Sequence, residues 1–212
     1  SSVTWTSSMF MNASTFDQPI GDWNTSAVTR MDNMFRNASA FNKPIGDWNV
    51  SAVTKMNGMF LGASAFNQPI GNWDVSLVTN MASMFLQASA FDQPIGDWNT
   101  SAVTSFNSTF EQASSFNQDL GSWDTSTVTD MRDVFNSATS FNQDLSDWNV
   151  SAVTNMIMPL ANTPALSDVN KGLIHGTFSK NPNWTTDWSA YHTKPAHVVP
   201  SAANLRMLWV QP

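Results

Sequence analysis

Apolar residues return along this chain in a fixed frame of 25 positions. Phe16, Phe41, Phe66, Phe91, Phe116 and Phe141 open six units. Trp23, Trp48, Trp73, Trp98, Trp123 and Trp148 follow seven residues later, and a Val-Thr pair recurs from Val28-Thr29 to Val153-Thr154. A period of this length marks a repeat array in which each unit buries its apolar face only against its neighbours. Function in such a chain lies in columns of surface residues rather than in one catalytic pocket.

Two periodicities meet within residues 41–65, FNKPIGDWNVSAVTKMNGMFLGASA. The first, Ile45-x-x-Trp48-x-Val50-x-x-Val53, has the spacing of a leucine-rich repeat core. Around Trp48 and Val50 apolar residues alternate with Asp47, Asn49 and Ser51, which predicts a short strand with one buried face. The second, Met56-x-x-Met59-Phe60-x-x-Ala63, occupies i, i+3, i+4 and i+7, one face of a helix. Thr54 stands before it as an N-cap, Gly62 or Ser64 can end it, and Pro44 lies in the connecting turn. The expected fold is α/β: a right-handed leucine-rich-repeat-like solenoid, a parallel sheet on one side and short helices on the other. The Phe, Trp and Met columns fill its interior.

The repeated unit F-N-Q-x-[IL]-x-x-W-[ND]-[VT]-S-x-V-T-x-M-x-x-M-F-x-x-A-[ST]-x resembles the BspA-type leucine-rich repeat of bacterial surface proteins. It is most similar to the version abundant in mycoplasma lipoproteins, over about residues 3–160. The resemblance implies a secreted or surface-anchored protein tied to adhesion, with no established enzymatic role. Val28, Val53, Val78, Val103, Val128 and Val153 depart from the general leucine-rich pattern, where Asn or Cys is usual, so its buried Asn ladder is missing.

The sixth unit decays: Met158-Pro159-Leu160 replaces the Met-Phe pair, and Leu166 stands in the Phe column. The expected division is residues 1–160 as the repeat array and 161–212 as a C-terminal cap. Trp184, Trp188, Leu205, Leu208 and Trp209 would hide the last apolar edge. Val3-Thr4 and Met9-Phe10 already match later units, so the chain enters the repeat part-way and reads as a processed or excised piece. The uncapped first coil predicts upstream repeats, another domain, or end-to-end packing, including self-association.

Charged residues make up 12% of the 212, about half the usual share of a soluble domain. The formal net charge is −7, with nine scattered Lys and Arg, which argues against nucleic acid and against anionic lipid surfaces. No apolar run approaches a membrane span, so direct membrane insertion is not expected. The absence of Cys excludes disulfides and thiol nucleophiles. The histidines, His175, His192 and His197, all lie after the repeats, so no Ser or Thr in the array has a His base nearby in sequence. No enzyme, no cofactor and no metal site is expected.

The outward positions form polar columns. One runs Asp22, Asp47, Asn72, Asp97, Ser122, Asp147; the next runs Asn24, Asn49, Asp74, Asn99, Asp124, Asn149; Ser26 to Ser151 make a third. Asp and Asn columns supply the oxygens Ca²⁺ takes, but they also form hydrogen-bonded ladders or cap turns without any metal. The expected function is an extracellular or cell-surface adhesion or ligand-binding module. Asp22, Asn24, Asp47, Asn49, Asn72, Asp74, Asp97, Asn99, Asp124, Asp147 and Asn149 would contact a protein or glycan ligand. The alternative is a structural spacer or self-assembling surface subunit, with ice binding by the Thr29–Thr154 column a distant third.

Overall fold

The structure, a computed structural model, describes residues 3–192. Its organising bonds run between units rather than within them. Met56, Gly58, Phe60 and Gly62 donate backbone N–H groups to the carbonyls of Asn80, Ala82, Met84 and Leu86, at 2.7–3.2 Å. The alternate N–H groups, of Met59, Leu61 and Ala63, close turns onto Met56, Gly58 and Phe60 in the same coil. The same bonds recur in the other units, so 25-residue coils stack in register.

This arrangement overturns the expected helix over residues 56–63. Gly58 and Gly62 have φ of +64° and +67°, and the same two columns are left-handed at Asn33, Asn37, Ser83, Gln87, Ser108 and Gln112. A left-handed residue every fourth position cannot belong to an α-helix. It turns every second N–H toward the neighbouring coil. Met56, Met59, Phe60 and Ala63 are still buried, because consecutive turns aim them inward as a helix would.

The expected sheet is absent as well. Trp48 N–H closes onto the Ile45 carbonyl at 3.1 Å, and Val53 N–H onto Val50 at 2.8 Å. Two turns so close together leave too few extended residues for a ladder. What remains is a line of single-residue parallel bridges, Trp5 to Arg30 to Lys55 to Asn80 to Ser105 to Asp130 to Asn155. The α/β solenoid with a parallel sheet and flanking helices is therefore not the fold. Among the described residues the helices are α1, Asp168–Phe178, and α2, Ser189–His192, both outside the repeats.

Aromatic ladders fill the interior. Phe35 and Phe41 stack within one coil at 4.0 Å between ring centres, and Phe41 stacks on Phe66 of the next coil at 6.0 Å. From Trp48 onward each Trp of the ladder also bonds its own coil to the one before. The indole N–H of Trp48, Trp73, Trp98, Trp123 and Trp148 donates to the carbonyl of Ile20, Ile45, Ile70, Ile95 and Leu120, at 2.9–3.3 Å. Thr25, Thr100 and Thr125 sit buried in the Val50 column and satisfy their hydroxyls on the next coil's carbonyl, at 2.9–3.0 Å. A buried hydroxyl without such a partner would cost about 1–3 kcal/mol.

Polar side chains tie the coils along the outside. Asn42 N–H donates to Asp17 Oδ1, Asn67 N–H to Asn42 Oδ1, and Asp92 N–H to Asn67 Oδ1, and the series continues through Asn117 and Asn142 to Ser167. Gln68, Gln93, Gln118 and Gln143 donate to the same oxygens. An Asx ladder is thus present, but at the position after each Phe rather than in the Val column. The Thr29 column does not cap helices. Thr54, Thr79 and Thr104 hydroxyls donate to the preceding coil's Thr carbonyl at 3.0–3.3 Å.

Residues after the repeats lie across part of the sixth coil. Ser167 caps α1, its hydroxyl accepting from Asn170 N–H, while Asn170 Nδ2 bonds the Asn142 carbonyl. Thr177 donates to the Ser146 carbonyl at 2.8 Å, and buried Asn181 donates to the carbonyls of Val150 and Val153. Ile174, Phe178 and Trp184 join the apolar core. Of the other residues expected in a cap, Leu205, Leu208 and Trp209 lie outside the described residues.

Candidate functional site

All eleven expected contact residues are exposed, but they divide into two kinds. The Asn24 column is engaged locally. Asn24 Oδ1 accepts from Ser26 N–H at 3.1 Å and from its hydroxyl at 2.7 Å. Asn49 and Asn99 hold Ser51 and Ser101 in the same way. Asp74, Asp124 and Asn149 accept from the N–H of Ser76, Ser126 and Ser151. These are Asx turns, in which a short side chain closes the backbone two residues on. The Ser76 hydroxyl, then its backbone N–H, holds the Asp74 carboxyl below the usual carboxylate range, and Ser126 does the same to Asp124.

The Asp22 column is not engaged. Among the described residues Asp22, Asp47, Asn72, Asp97 and Asp147 make no hydrogen bond or ion pair within the protein. Ser122 breaks the column, because its hydroxyl donates to the Gly96 carbonyl at 2.7 Å. The column stands at the corner before each Trp, Pro-Ile-Gly-Asp/Asn in the first four coils and Asp-Leu-Gly-Ser and Asp-Leu-Ser-Asp in the last two, beside shallow grooves. One, of about 480 Å³, is lined by Pro19, Gly21, Asp22, Trp23, Pro44, Gly46 and Asp47. Another, of about 390 Å³, includes Asn72, Pro94, Gly96, Asp97 and Ser122.

The corner is shaped by its glycines. A Cβ on Gly71 would stand 2.5 Å from the Pro94 carbonyl oxygen, and one on Gly96 2.7 Å from that of Asp119. Successive coils therefore approach backbone to backbone here. Pro and Gly of the first four corners belong to the candidate surface, although sequence reasoning placed only Asp, Asn and Ser on it. Their signal was the recurring Pro-Ile-Gly-Asp.

Among the described residues no three His, Asp or Glu side chains come together as a metal site. His175 Nδ1 faces the indole N–H of Trp184 at 3.3 Å, and His192 Nδ1 lies 3.0 Å from the Gly172 carbonyl, so both histidines join the terminal helices to their surroundings. His197 lies outside the described residues. No described helix is long and apolar enough to cross a membrane.

Comparison with curated proteins and with solved structures found no match. Two overlapping stretches, residues 1–84 and 68–171, match the family described as "Mycoplasma protein of unknown function, DUF285", and the chain belongs to that family.

Proposed function

We propose that the protein is a non-catalytic recognition module of a microbial surface protein, and that it contacts a polar protein or glycan ligand through the coil corners. The observation behind this reading is the contrast between two neighbouring columns. The side chains of the Asn24 column spend their acceptors on turns, whereas those of Asp22, Asp47, Asn72 and Asp97 are exposed and make no bond within the described protein. They recur one coil apart beside open grooves, which suits a ligand that repeats or binds at several points. A stacked array presents an extended surface of this kind. The sequence resemblance to BspA-type surface repeats is what supports placing it at the cell surface.

The test is a glycan and extracellular-matrix protein array, probed with the native chain and with a variant carrying Ala at Asp22, Asp47, Asp97 and Asp147. The expected result is loss of binding to whatever the native chain captures, with an unchanged thermal melt. Retained binding by the folded variant would refute the corner as the contact surface. Substituting the Asn24 column is a poorer test, since it removes turn-closing bonds as well.

A further inference from the structure

The stack of coils ends on an edge that the following residues cover only in part. In every earlier coil the N–H groups of four columns donate to the next coil, as Met131, Asp133, Phe135 and Ser137 do to the carbonyls of Asn155, Ile157, Pro159 and Ala161. Their counterparts in the sixth coil, the N–H groups of Met156, Met158, Leu160 and Asn162, have no acceptor among the described residues, and the Thr154 carbonyl before them has no donor there. Met158 and Asn162 keep φ of +48° and +54°, so this edge holds the conformation that turns alternate N–H groups toward a neighbouring coil elsewhere. The described chain runs on past the repeats, but residues 167–183 bond over the other half of the coil, at Asn142, Ser146, Val150 and Val153. Beside the open half lies a groove of about 410 Å³, whose lining includes Met158, Leu160, Asn162, Pro164, Lys171 and Trp188. Met158 is 59% exposed, although Gly58 and Ser108 in its column are buried.

We infer that the chain's own continuation, residues 193–212, pairs with this edge: an extended stretch lies in the groove and offers alternate carbonyls to the open N–H groups. Three observations select that occupant. First, it is tethered there. Trp188 lines the groove and α2 ends at His192, so the residues that follow meet the groove at an effective concentration of about millimolar. Extended, they reach roughly 60 Å, several times the length of the edge. Second, Leu205-Arg206-Met207-Leu208-Trp209-Val210 is apolar at all but one position, which suits walls made by Met158, Leu160, Pro164 and Trp188. Third, all 16 Asp and Glu precede residue 193, whereas residues 193–212 carry Lys194 and Arg206 and no acid, so the segment is attracted to an acidic body. Lys171, the charged residue of the lining, stands 3.8 Å from Asp168 and over the Tyr191 ring, which offsets its charge. Pairing within the molecule denies the edge to other chains, for which an unpaired edge is a template.

Amide hydrogen exchange of the whole chain, read by NMR, tests this. The amides of Met158, Leu160 and Asn162 should exchange at least about 100-fold more slowly than an open peptide, at every protein concentration. Joint Leu208→Asp and Trp209→Asp substitution should remove at least about 10-fold of that protection, because charge would enter the groove, and should leave the Phe135 and Ser137 amides unchanged. A second measurement does not depend on how that variant folds. The chain has no Cys, so Gln211→Cys takes a single spin label. The label should broaden the three amide signals of its own molecule and not those of an unlabelled chain mixed with it. Unprotected amides, protection that survives the double substitution, or a label that leaves the three signals sharp would overturn the proposal. Protection that grows with protein concentration would overturn it too, and would assign the edge to a second copy.

Discussion

Replacing Trp73 by Ala in the middle of the stack removes a ring that is 3% exposed, lies against Phe60 at 6.3 Å, and bonds the Ile45 carbonyl at 3.3 Å. The lost ring contributes the larger part: a buried Phe or Trp reduced to Ala typically costs about 3–5 kcal/mol, cavity included. The lost hydrogen bond adds little. The Ile45 carbonyl still accepts from Trp48 N–H at 3.1 Å, so it is not stranded, and a net bond of this kind is worth about 1 kcal/mol. At roughly 2–4 °C per kcal/mol for a chain of this length, Trp73→Ala should lower the melting temperature by roughly 10–20 °C. Two variants separate the terms. Trp73→Phe keeps most of the ring and loses the donor, so its cost should be about 1–2 kcal/mol. Trp23→Ala makes the same chemical change at an exposed position with no indole acceptor among the described residues, and should cost about 1 kcal/mol or less. Near-ultraviolet circular dichroism reports the stacked rings directly and is the appropriate signal for the melt. If Trp73→Ala and Trp23→Ala shift the midpoint equally, the Trp column does not hold the coils together and the reasoning fails.

Two further outcomes follow from the same packing. Gly71→Ala should destabilise by about 1–3 kcal/mol, because its Cβ would stand 2.5 Å from the Pro94 carbonyl. Gly121→Ala should cost less in a urea titration, since the facing Asp144 carbonyl is 4.0 Å away and the nearest atom, Asp119 Oδ1 at 3.2 Å, belongs to a side chain that can shift, as Asp144 does beside Ser146 in the next unit. The carboxyls of Asp74 and Asp124 are lowered in the folded chain, so their stabilising effect is present above the ordinary carboxylate range and is lost as pH falls through their folded values. A paired Asp74→Asn and Asp124→Asn variant keeps the acceptor that Asn24, Asn49 and Asn99 use, and should melt with a shallower loss of stability on acidification than the native chain; an identical acid profile would refute the assignment.

Burial was legible in the sequence, and backbone conformation was not. Ile45, Trp48, Val50, Val53, Met56, Met59, Phe60 and Ala63 are all interior, because apolar identity repeated six times leaves no other place for them. The i, i+3, i+4, i+7 spacing that suggested a helix reports only which residues face inward. A run of turns with left-handed residues at its fourth positions buries the same set. The distinguishing signal was Gly58 and Gly62 standing in the columns of Asn33 and Asn37, residue types that tolerate positive φ. Ser83, Gln87, Ser108 and Gln112 obscured it, since coil-to-coil bonds hold these residues left-handed against their own preference. The Asx ladder was obscured for a related reason. Its F-[ND]-Q signature recurs plainly, but a bond from a side chain to a backbone 25 residues away leaves no local trace.

The candidate surface shows the same limit at finer scale, and resolving it narrows the ligand. Asp22 and Asn24 lie two residues apart, are both exposed, and draw on the same residue types, so nothing in the residue pattern separates their columns. The turn at Ser26 separates them by consuming one set of oxygens. The engaged column can alternate Asn and Asp freely, because either supplies the acceptor, and it does so at Asn49, Asp74, Asn99 and Asp124. The unengaged column is under no such demand, yet it is not uniformly acidic: Asn72 interrupts it, and Ser122 turns away to the Gly96 carbonyl. Its longest unbroken run of carboxylates is therefore the pair Asp22 and Asp47, whereas side chains able to accept a hydrogen bond run unbroken from Asp22 to Asp97. A cationic ligand spanning several coils would meet gaps in charge along that run. A neutral ligand with repeated hydroxyl or amide donors would meet an acceptor at every coil, and within the proposed function that is the chemistry the corner suits better.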